Sequence, residues 1–526
     1  MADNLLDKAS ILLTPTAYRD AGMLSVKPTD GDGDFTFSRN SAATRVNAQG
    51  LVENVQILSS DLVQNGSFSE IGAEEVTNGS FTNGSTDWTF VGGAELTEQG
   101  ARIYSSSGGQ SYINQDALTN TKSYKISYDI VDSTQGALKL INVNGVSDYP
   151  IPSTVGSHIV YFTANNNTLF IYRNSGATDV TITNISVKEV GQNWTFGDGF
   201  TPDQANSKAT CDGTQSAATN LTQTISTNIQ NKLVRVSFTL DYTAGVLLGS
   251  LSGTGAVDFN NITISGTYTA EMTSNEVNPP LILQGDTNFI GSITNIVLLE
   301  VTNDTNLPRI NYENGCGSWL LEPQSTNIIP YSTDFTQWTF GSDGNPNNMT
   351  RVDGQSSPDG GTNSSLYTRN SGTNGFFGYG NSTVVLGNTY TYSIFIKKGT
   401  SSTLQINNVA NSPQSKVTYN IDTDTFTQEV NASGKAVNFG DGWYRLSMTY
   451  EHTNTSITFS QIRNILGDGE SMYVFGAQFE EQSFATSYIP TLGASSTRLQ
   501  DLATDSGNAT LINSTEGVLY AEIARI

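Results

Sequence analysis

Histidine and cysteine are nearly absent from this chain, with two of each in 526 residues. A zinc centre needs about four ligands at close spacing, and neither Cys211 nor Cys316 belongs to a CxxC pair. No disulfide framework is possible from two cysteines assigned to different domains, and both are read as small buried residues. His158 and His452 have no Gly-x-Ser-x-Gly elbow or catalytic-type cysteine beside them and are read as exposed strand-end residues. Basic residues are also scarce: 25 Lys and Arg stand against 49 Asp and Glu, a net charge of −24. Such a chain lacks the basic face that replaces phosphate counterions, which argues against nucleic acid and against an anionic membrane surface. Long apolar runs are missing too. Ile11-Leu-Leu13 is too short for the core of a signal peptide, and nothing approaches a membrane span, so neither export nor membrane insertion is expected. Phosphate-binding loops of the Walker type and the short-period repeats of a long parallel β-helix do not occur.

What is present is glycine, 50 residues, in a matrix rich in Asn, Ser and Thr, with aromatics at 10% and only 14% charged. The apolar residues are patterned rather than scattered, which separates the chain from disordered segments of similar polarity. Period-two alternation dominates, in Tyr124-Lys-Ile-Ser-Tyr-Asp-Ile130, Leu233-Val-Arg-Val-Ser-Phe-Thr-Leu240 and Tyr390-Thr-Tyr-Ser-Ile-Phe-Ile396. The expected fold class is all-β, and the length calls for three or more domains.

An internal repeat sets the count. Asp87-Trp-Thr-Phe90, Asn193-Trp-Thr-Phe196 and Gln337-Trp-Thr-Phe340 each open a series that passes through one of those alternating strands. The series close on Ile182-Thr-Asn-Ile-Ser-Val-Lys-Glu-Val190, Ile293-Thr-Asn-Ile-Val-Leu-Leu-Glu-Val301 and Met472-Tyr-Val-Phe-Gly-Ala-Gln-Phe479. The pattern resembles the jelly-roll sandwich of carbohydrate-binding modules, and Asn65-Gly-Ser-Phe68 with its near copy Asn78-Gly-Ser-Phe81 resembles the opening strand of such modules. Three sandwiches in tandem are expected, at 62–191, 192–303 and 328–490. Trp88, Trp194 and Trp338, at a fixed place in each, are read as core residues rather than sugar platforms.

Around them lies a second kind of sequence. Ser38-Arg-Asn-Ser-Ala-Ala-Thr-Arg-Val-Asn47, Pro308-Arg-Ile-Asn-Tyr312 and Trp319-Leu-Leu-Glu-Pro-Gln-Ser-Thr-Asn327 resemble a module of tailed-bacteriophage virion proteins, tail-fibre and structural. The resemblance continues through Tyr392-Ser-Ile-Phe-Ile-Lys-Lys-Gly399, Gly442-Trp-Tyr-Arg-Leu446, Phe475-Gly-Ala-Gln-Phe479 and Ser487-Tyr-Ile-Pro-Thr491, covering the first fifty residues and the last two hundred. It implies a split β module, 25–55 plus 304–327, interrupted by the first two sandwiches. A short N-terminal arm, 1–24, precedes it, with Asp3 as a helix cap before Leu5, Leu6 and Ala9. Residues 491–526 are read as a linker ending in an unpaired strand.

The function implied is that of a non-enzymatic virion structural protein, a tail or head fibre or its base, assembled in the bacterial host cytoplasm. Its partners would be other virion proteins and host-surface glycans, and the resemblance favours a trimer. A free glycan-binding module and a polysaccharide depolymerase, which needs only two carboxylates, are the alternatives. Candidate glycan- or partner-binding residues are the loop aromatics Phe376, Phe377 and Tyr379, with Tyr149 and Tyr172. No cofactor and no catalytic residue are assigned. Asp30, Asp32 and Asp34 alternate on a glycine loop as calcium ligands do, but Ser41 stands where a closing Glu would be needed, and a solvated acidic turn is the plainer reading.

Overall fold

In the computed structural model, which describes residues 8–251, 259–313, 315–340, 348–373, 375–455, 459–512, 515 and 518–522, the chain is all-β. Its elements there are strands and two three-residue 3₁₀ turns, Gln204–Asn206 and Phe335–Gln337. The helix expected behind Asp3 falls largely outside the described residues. Two compact units divide the chain, 60–300 and the combination of 1–59 with 301–526.

The unit 60–300 contains two β-sandwiches of one topology. In the first, one sheet orders its strands Gly156–Thr163, Ser123–Gln135, Thr178–Val190, Gly100–Ser105 and Ala94–Thr97. The facing sheet runs Val146–Ile151, Leu138–Val143, Thr168–Arg173, Ser111–Asp116 and Thr89–Gly92. The second sandwich repeats both orders. Gly266–Thr273, Leu233–Ala244, Ile290–Asn303, Lys208–Cys211 and Phe200–Asp203 form one sheet. Phe259–Ile262, Leu247–Ser250, Pro280–Gly285, Thr219–Thr224 and Thr195–Phe196 form the other.

The two Asn-Gly-Ser-Phe copies do not both belong to the first sandwich. Phe81 packs with Trp88 in the first core, whereas Phe68 packs with Trp194 in the second, at ring separations of 5.5 and 5.3 Å. The bonding around each copy is the same. The Trp194 indole N–H donates to the carbonyls of Gln64 and Asn65, and that of Trp88 to those of Thr77 and Asn78. Gln223 brackets Gln64, and Gln115 brackets Thr77, each side-chain amide both donating to and accepting from the backbone of its partner. Gly66 and Gly79 lie so close to the carbonyls of Ile296 and Ile185 that a Cβ at either would collide with the oxygen. In return the amides of Ile296 and Ile185 donate to those two glycines, both at 3.0 Å. The twin Ile-Thr-Asn-Ile sequences explain the contact: Asn184 and Asn295 hold φ near +50° (50° and 53°), a bulge conformation that Asn tolerates and branched residues do not.

The boundary expected at 62 therefore moves. Residues 62–70 belong to the second sandwich, and the first, from Ile71 to Val190, is inserted within it. Ile71 and Val190 are paired across antiparallel strands, so the insertion leaves and returns at one point. Sequence order misled here because a repeated turn motif does not say which later strand it meets. Replacing 71–190 by a short Gly/Ser linker is expected to leave the second sandwich folded, with Trp194 still buried by fluorescence and one cooperative unfolding transition. An unfolded product would sink the nested arrangement.

In the other unit the third sandwich packs two sheets around Tyr367, Phe377, Tyr392, Ile406, Met448 and their neighbours. One sheet orders Met349–Gln355, Ser364–Arg369, Ser471–Glu480, Thr389–Lys398, Trp443–Glu451 and Ser433–Gly440. The distant stretches 25–55 and 304–327 meet beside it. Val46 N–H donates to Asn311 Oδ1 at 2.8 Å, Tyr312 N–H to the Val46 carbonyl at 3.0 Å, and Arg39 N–H to Asn306 Oδ1 at 2.8 Å. Ile57–Leu58 pairs with Val301 and Asn303, which brings the departing and returning chain together.

The segment read as a linker is part of this body. Ser496–Arg498 pairs with Ser325–Asn327, and Leu502–Thr504 pairs with Phe35–Ser38. Of the strand expected at 517–526, residues 518–522 lie outside any strand, with Val518, Leu519 and Tyr520 exposed, and the rest falls outside the described residues.

Candidate functional site

The residues that carry the phage resemblance converge on one buried polar knot in the unit 1–59/301–526. The side chains of Arg39, Arg309 and Asp501 are wholly buried, and those of Arg498 and Glu322 nearly so. Arg309 pairs with Asp501 and, at 2.8 Å, with Glu322. Arg498 reaches Glu322 at 3.1 Å, and Arg39 reaches Asp501 at 3.1 Å. The backbone closes the knot: Glu322 N–H donates to the Asp501 carboxylate, and Asp501 N–H to the Glu322 carbonyl. Ser487, on the loop that follows Ser471–Glu480, donates both N–H and O–H to Glu322. Three distant parts of the chain are thus held by charges that water does not reach.

Burial alone would raise the Glu322 carboxyl, but Arg309 and Arg498 beside it and the two Ser487 bonds hold it down at about 2. Burial and the neighbouring Arg309 push the Arg39 guanidinium down to about 10, against the pull of Asp501. A carboxyl whose folded pKa lies below its unfolded value stabilises the fold above the unfolded pKa and loses that contribution as pH falls through the folded one. Acid titration of the whole chain is therefore expected to weaken this unit between about pH 4.5 and pH 2, followed by near-UV circular dichroism. Glu322→Gln should flatten that limb, and an unchanged limb would refute the assignment.

Beside the knot opens a cleft of about 320 Å³, floored by Phe395, Arg445 and Tyr488. One wall comes from Arg45, Val46 and Glu313, the other from the edge strand Ser433–Gly440. Underneath, Val52, Phe395, Trp443, Phe475 and Tyr488 form a second small apolar cluster. Thr389–Lys398 is consequently covered on both faces, with Tyr392, Ile394 and Ile396 in the sandwich core and Thr391, Ser393 and Phe395 against the cleft side.

The structure separates the predicted site residues. Phe377 is not a loop-surface residue: it is fully buried, stacked on Tyr367 at 4.2 Å, because the strand Phe377–Gly378 turns it into the core. Tyr379 packs on the same core, edge-on to Trp338. Phe376 is half-buried under the Arg463 guanidinium at 4.3 Å. Tyr149 leans against the first core.

Tyr172 does lie on an outer sheet face. It stacks on Tyr112 at 4.8 Å, with Phe170 edge-on to Tyr112 and Lys139 over the Tyr172 ring. Tyr112 is the partner that sequence reasoning missed, and its register opposite Tyr172 is what joins them. The twin sheet has Asn220 opposite Gln284 at the matching pair, hydrogen-bonded at 2.9 Å. The fold does not require the rings.

Asp30, Asp32 and Asp34 are engaged within the protein. Asp34 accepts from Ser25 N–H and faces Arg19, Asp30 accepts from Asp32 N–H, and Asp32 accepts from Asn508. Among the described residues no three His, Cys, Asp or Glu gather as a metal site. Two other expectations are corrected. Cys316 is exposed, on the tip between Ile310–Asn311 and Ser318–Trp319, while Cys211 is buried. His452 is fully buried after Trp443–Glu451, where its backbone bonds Gly387 and Asn388, and His158 is exposed.

No family model matches the chain, and no curated protein does. Among solved structures it is similar to the N-terminal CBM22-1-CBM22-2 tandem domain of Paenibacillus barcinonensis Xyn10C, at 13% identity and a TM-score of 0.20, over 56% of this chain and 94% of that one. It is also similar to a chain in the atomic structure of Sulfolobus Turreted Icosahedral Virus, at 10% identity and a TM-score of 0.16, over 76% and 91%. Likenesses this low carry no function across.

Proposed function

We propose that this chain is a non-enzymatic structural protein of a bacteriophage virion, a tail or head fibre or its base, which holds β-sandwiches out for assembly and surface attachment. The observation that supports it most is the fate of the motif residues. Arg39, Arg309, Glu322 and Ser487 all belong to the sequences that resemble virion proteins, and all are consumed in one buried knot. Used in this way, these four residues are scaffold rather than catalyst, since they pair with one another and with Arg498 and Asp501 away from solvent.

Attachment to glycans or to other virion proteins is assigned to outward faces such as the Tyr112–Tyr172 pair. Aromatic rings with a polar tip suit both kinds of contact. Weak contacts repeated over an oligomer, with a trimer favoured, would sum through avidity.

The test is location. Peptide mass spectrometry and labelled antibody on purified particles are expected to place the chain on the virion in fixed copy number; recovery only from the soluble lysate would overturn the reading. Tyr112→Ala with Tyr172→Ala is expected to reduce particle adsorption severalfold while changing stability by less than about 1 kcal/mol, as surface substitutions do. Release of reducing ends from host polysaccharide by the purified chain would replace the structural role with a depolymerase.

A further inference from the structure

The buried charges of the unit 1–59/301–526 do not balance. Among its described residues the buried cations include four arginines, Arg39, Arg309, Arg445 and Arg498, against three buried carboxylates, Glu322, Glu480 and Asp501. Glu480 accepts from the Gln478 amide, from the Thr486 N–H and O–H and from the Ser325 O–H. Glu322 and Asp501 are taken by the other three arginines. Arg445 has the buried Glu480 as its main countercharge, beyond ion-pair distance. It takes part in no ion pair among the described residues, and its guanidinium donates only to the Thr486 carbonyl at 2.6 Å and to Ser393 Oγ at 2.9 Å. Its Nε–H has no partner there. Burial draws its pKa down, against the opposing pull of the Glu480, Glu313 and Glu322 carboxylates at longer range.

Arg445 is also the one of the four that lines the 320 Å³ cleft. A buried cation is costly unless an anion or dipoles offset it. We propose that the cleft binds a carboxylate-bearing sugar, a uronate-type residue of an acidic polysaccharide, whose carboxylate provides the direct ion pair that Arg445 lacks among the described residues. The lining fits that class. Hydroxyls of Ser447, Thr449 and Ser483 can exchange hydrogen bonds with sugar hydroxyls, and the part-exposed Phe439 offers an apolar face to a ring. At the rim, Lys435 is exposed on the edge strand and adds a second positive charge, opposite the single rim acid Glu313. Arg45 contributes little net charge, being paired with Glu53 at 2.9 Å. In a chain of net charge −24, a cleft with this balance favours an anion over the neutral sugar of the same shape.

The inference does not depend on the virion assignment, since it concerns what the purified chain binds, and location on a particle would neither rescue nor defeat it. Calorimetric titration of the full chain with a glucuronate-containing oligosaccharide, its carboxyl-reduced neutral counterpart and an acidic Glu-rich peptide tests it. The acidic sugar is expected to bind about tenfold or more tightly than the reduced one, with affinity falling as salt is raised. Lys435→Glu, on the exposed rim where folding is not at risk, should lower that affinity about tenfold, because it turns an attraction at the rim into a repulsion. Arg445→Gln should erase the preference for the carboxylate. Equal binding of the acidic and reduced sugars, no binding of either, an unchanged Lys435→Glu, or a peptide that binds as well as the sugar would each overturn it.

Discussion

Replacing Asp501 with asparagine is expected to cost the unit 1–59/301–526 about 3–5 kcal/mol, the loss seen when one partner of a buried ionic network is removed. The substitution keeps the volume and removes only the charge. Arg39 would then lose its ion pair, and Arg309 and Arg498 would be left with Glu322 alone. The Glu322 amide would also lose a carboxylate acceptor. Denaturant unfolding of the full chain, followed by near-UV circular dichroism, measures the shift. Leu499→Ala, two residues away and 37% exposed, supplies the comparison and should change stability by about 1 kcal/mol or less. The contrast matters because both residues lie in a stretch with the composition of a loop. Equal, small effects at the two positions would mean that the knot does not hold the unit together.

Phe68→Ala is expected to destabilise the second sandwich by about 3–5 kcal/mol and to leave the first untouched. Phe68 is fully buried against Trp194 and Phe196 and precedes the first sandwich in sequence. Phe81→Ala should do the reverse through Trp88. Hydrogen exchange read by mass spectrometry separates the outcomes: Phe68→Ala should raise exchange across 191–300, and Phe81→Ala across 71–190. Loss of protection in 71–190 on changing Phe68 would restore the sequential order of the sandwiches and refute the nested one.

Sheets of these sandwiches were legible because their strands have one wet face. Ser123–Gln135 begins by alternating buried and half-exposed residues, and the period-two pattern of Tyr124 to Ile130 reports it directly. The repeated Trp-Thr-Phe and Ile-Thr-Asn-Ile sequences marked equivalent places in twin folds for a similar local reason. The first enters a strand at Thr89 and Thr195, and the second holds the bulge at Asn184 and Asn295. The loop aromatics were misjudged where local sequence stops: Phe376 and Phe377 are neighbours, and only the strand they enter decides that one meets Arg463 and the other Tyr367.

Residues close along the chain set the alternating sandwich strands, the turns that need Asn or Gly, and the all-β class, though not the short strands 496–498 and 502–504. Local sequence could not determine which Asn-Gly-Ser-Phe turn closes which core, nor that Ser393 and Arg445 face a second buried layer rather than water. Those were decided by tertiary structure. Whether a polar side chain is a solvated surface group or half of a buried pair depends on what stands opposite it, and for Arg39 and Asp501 the opposite member lies 462 residues away.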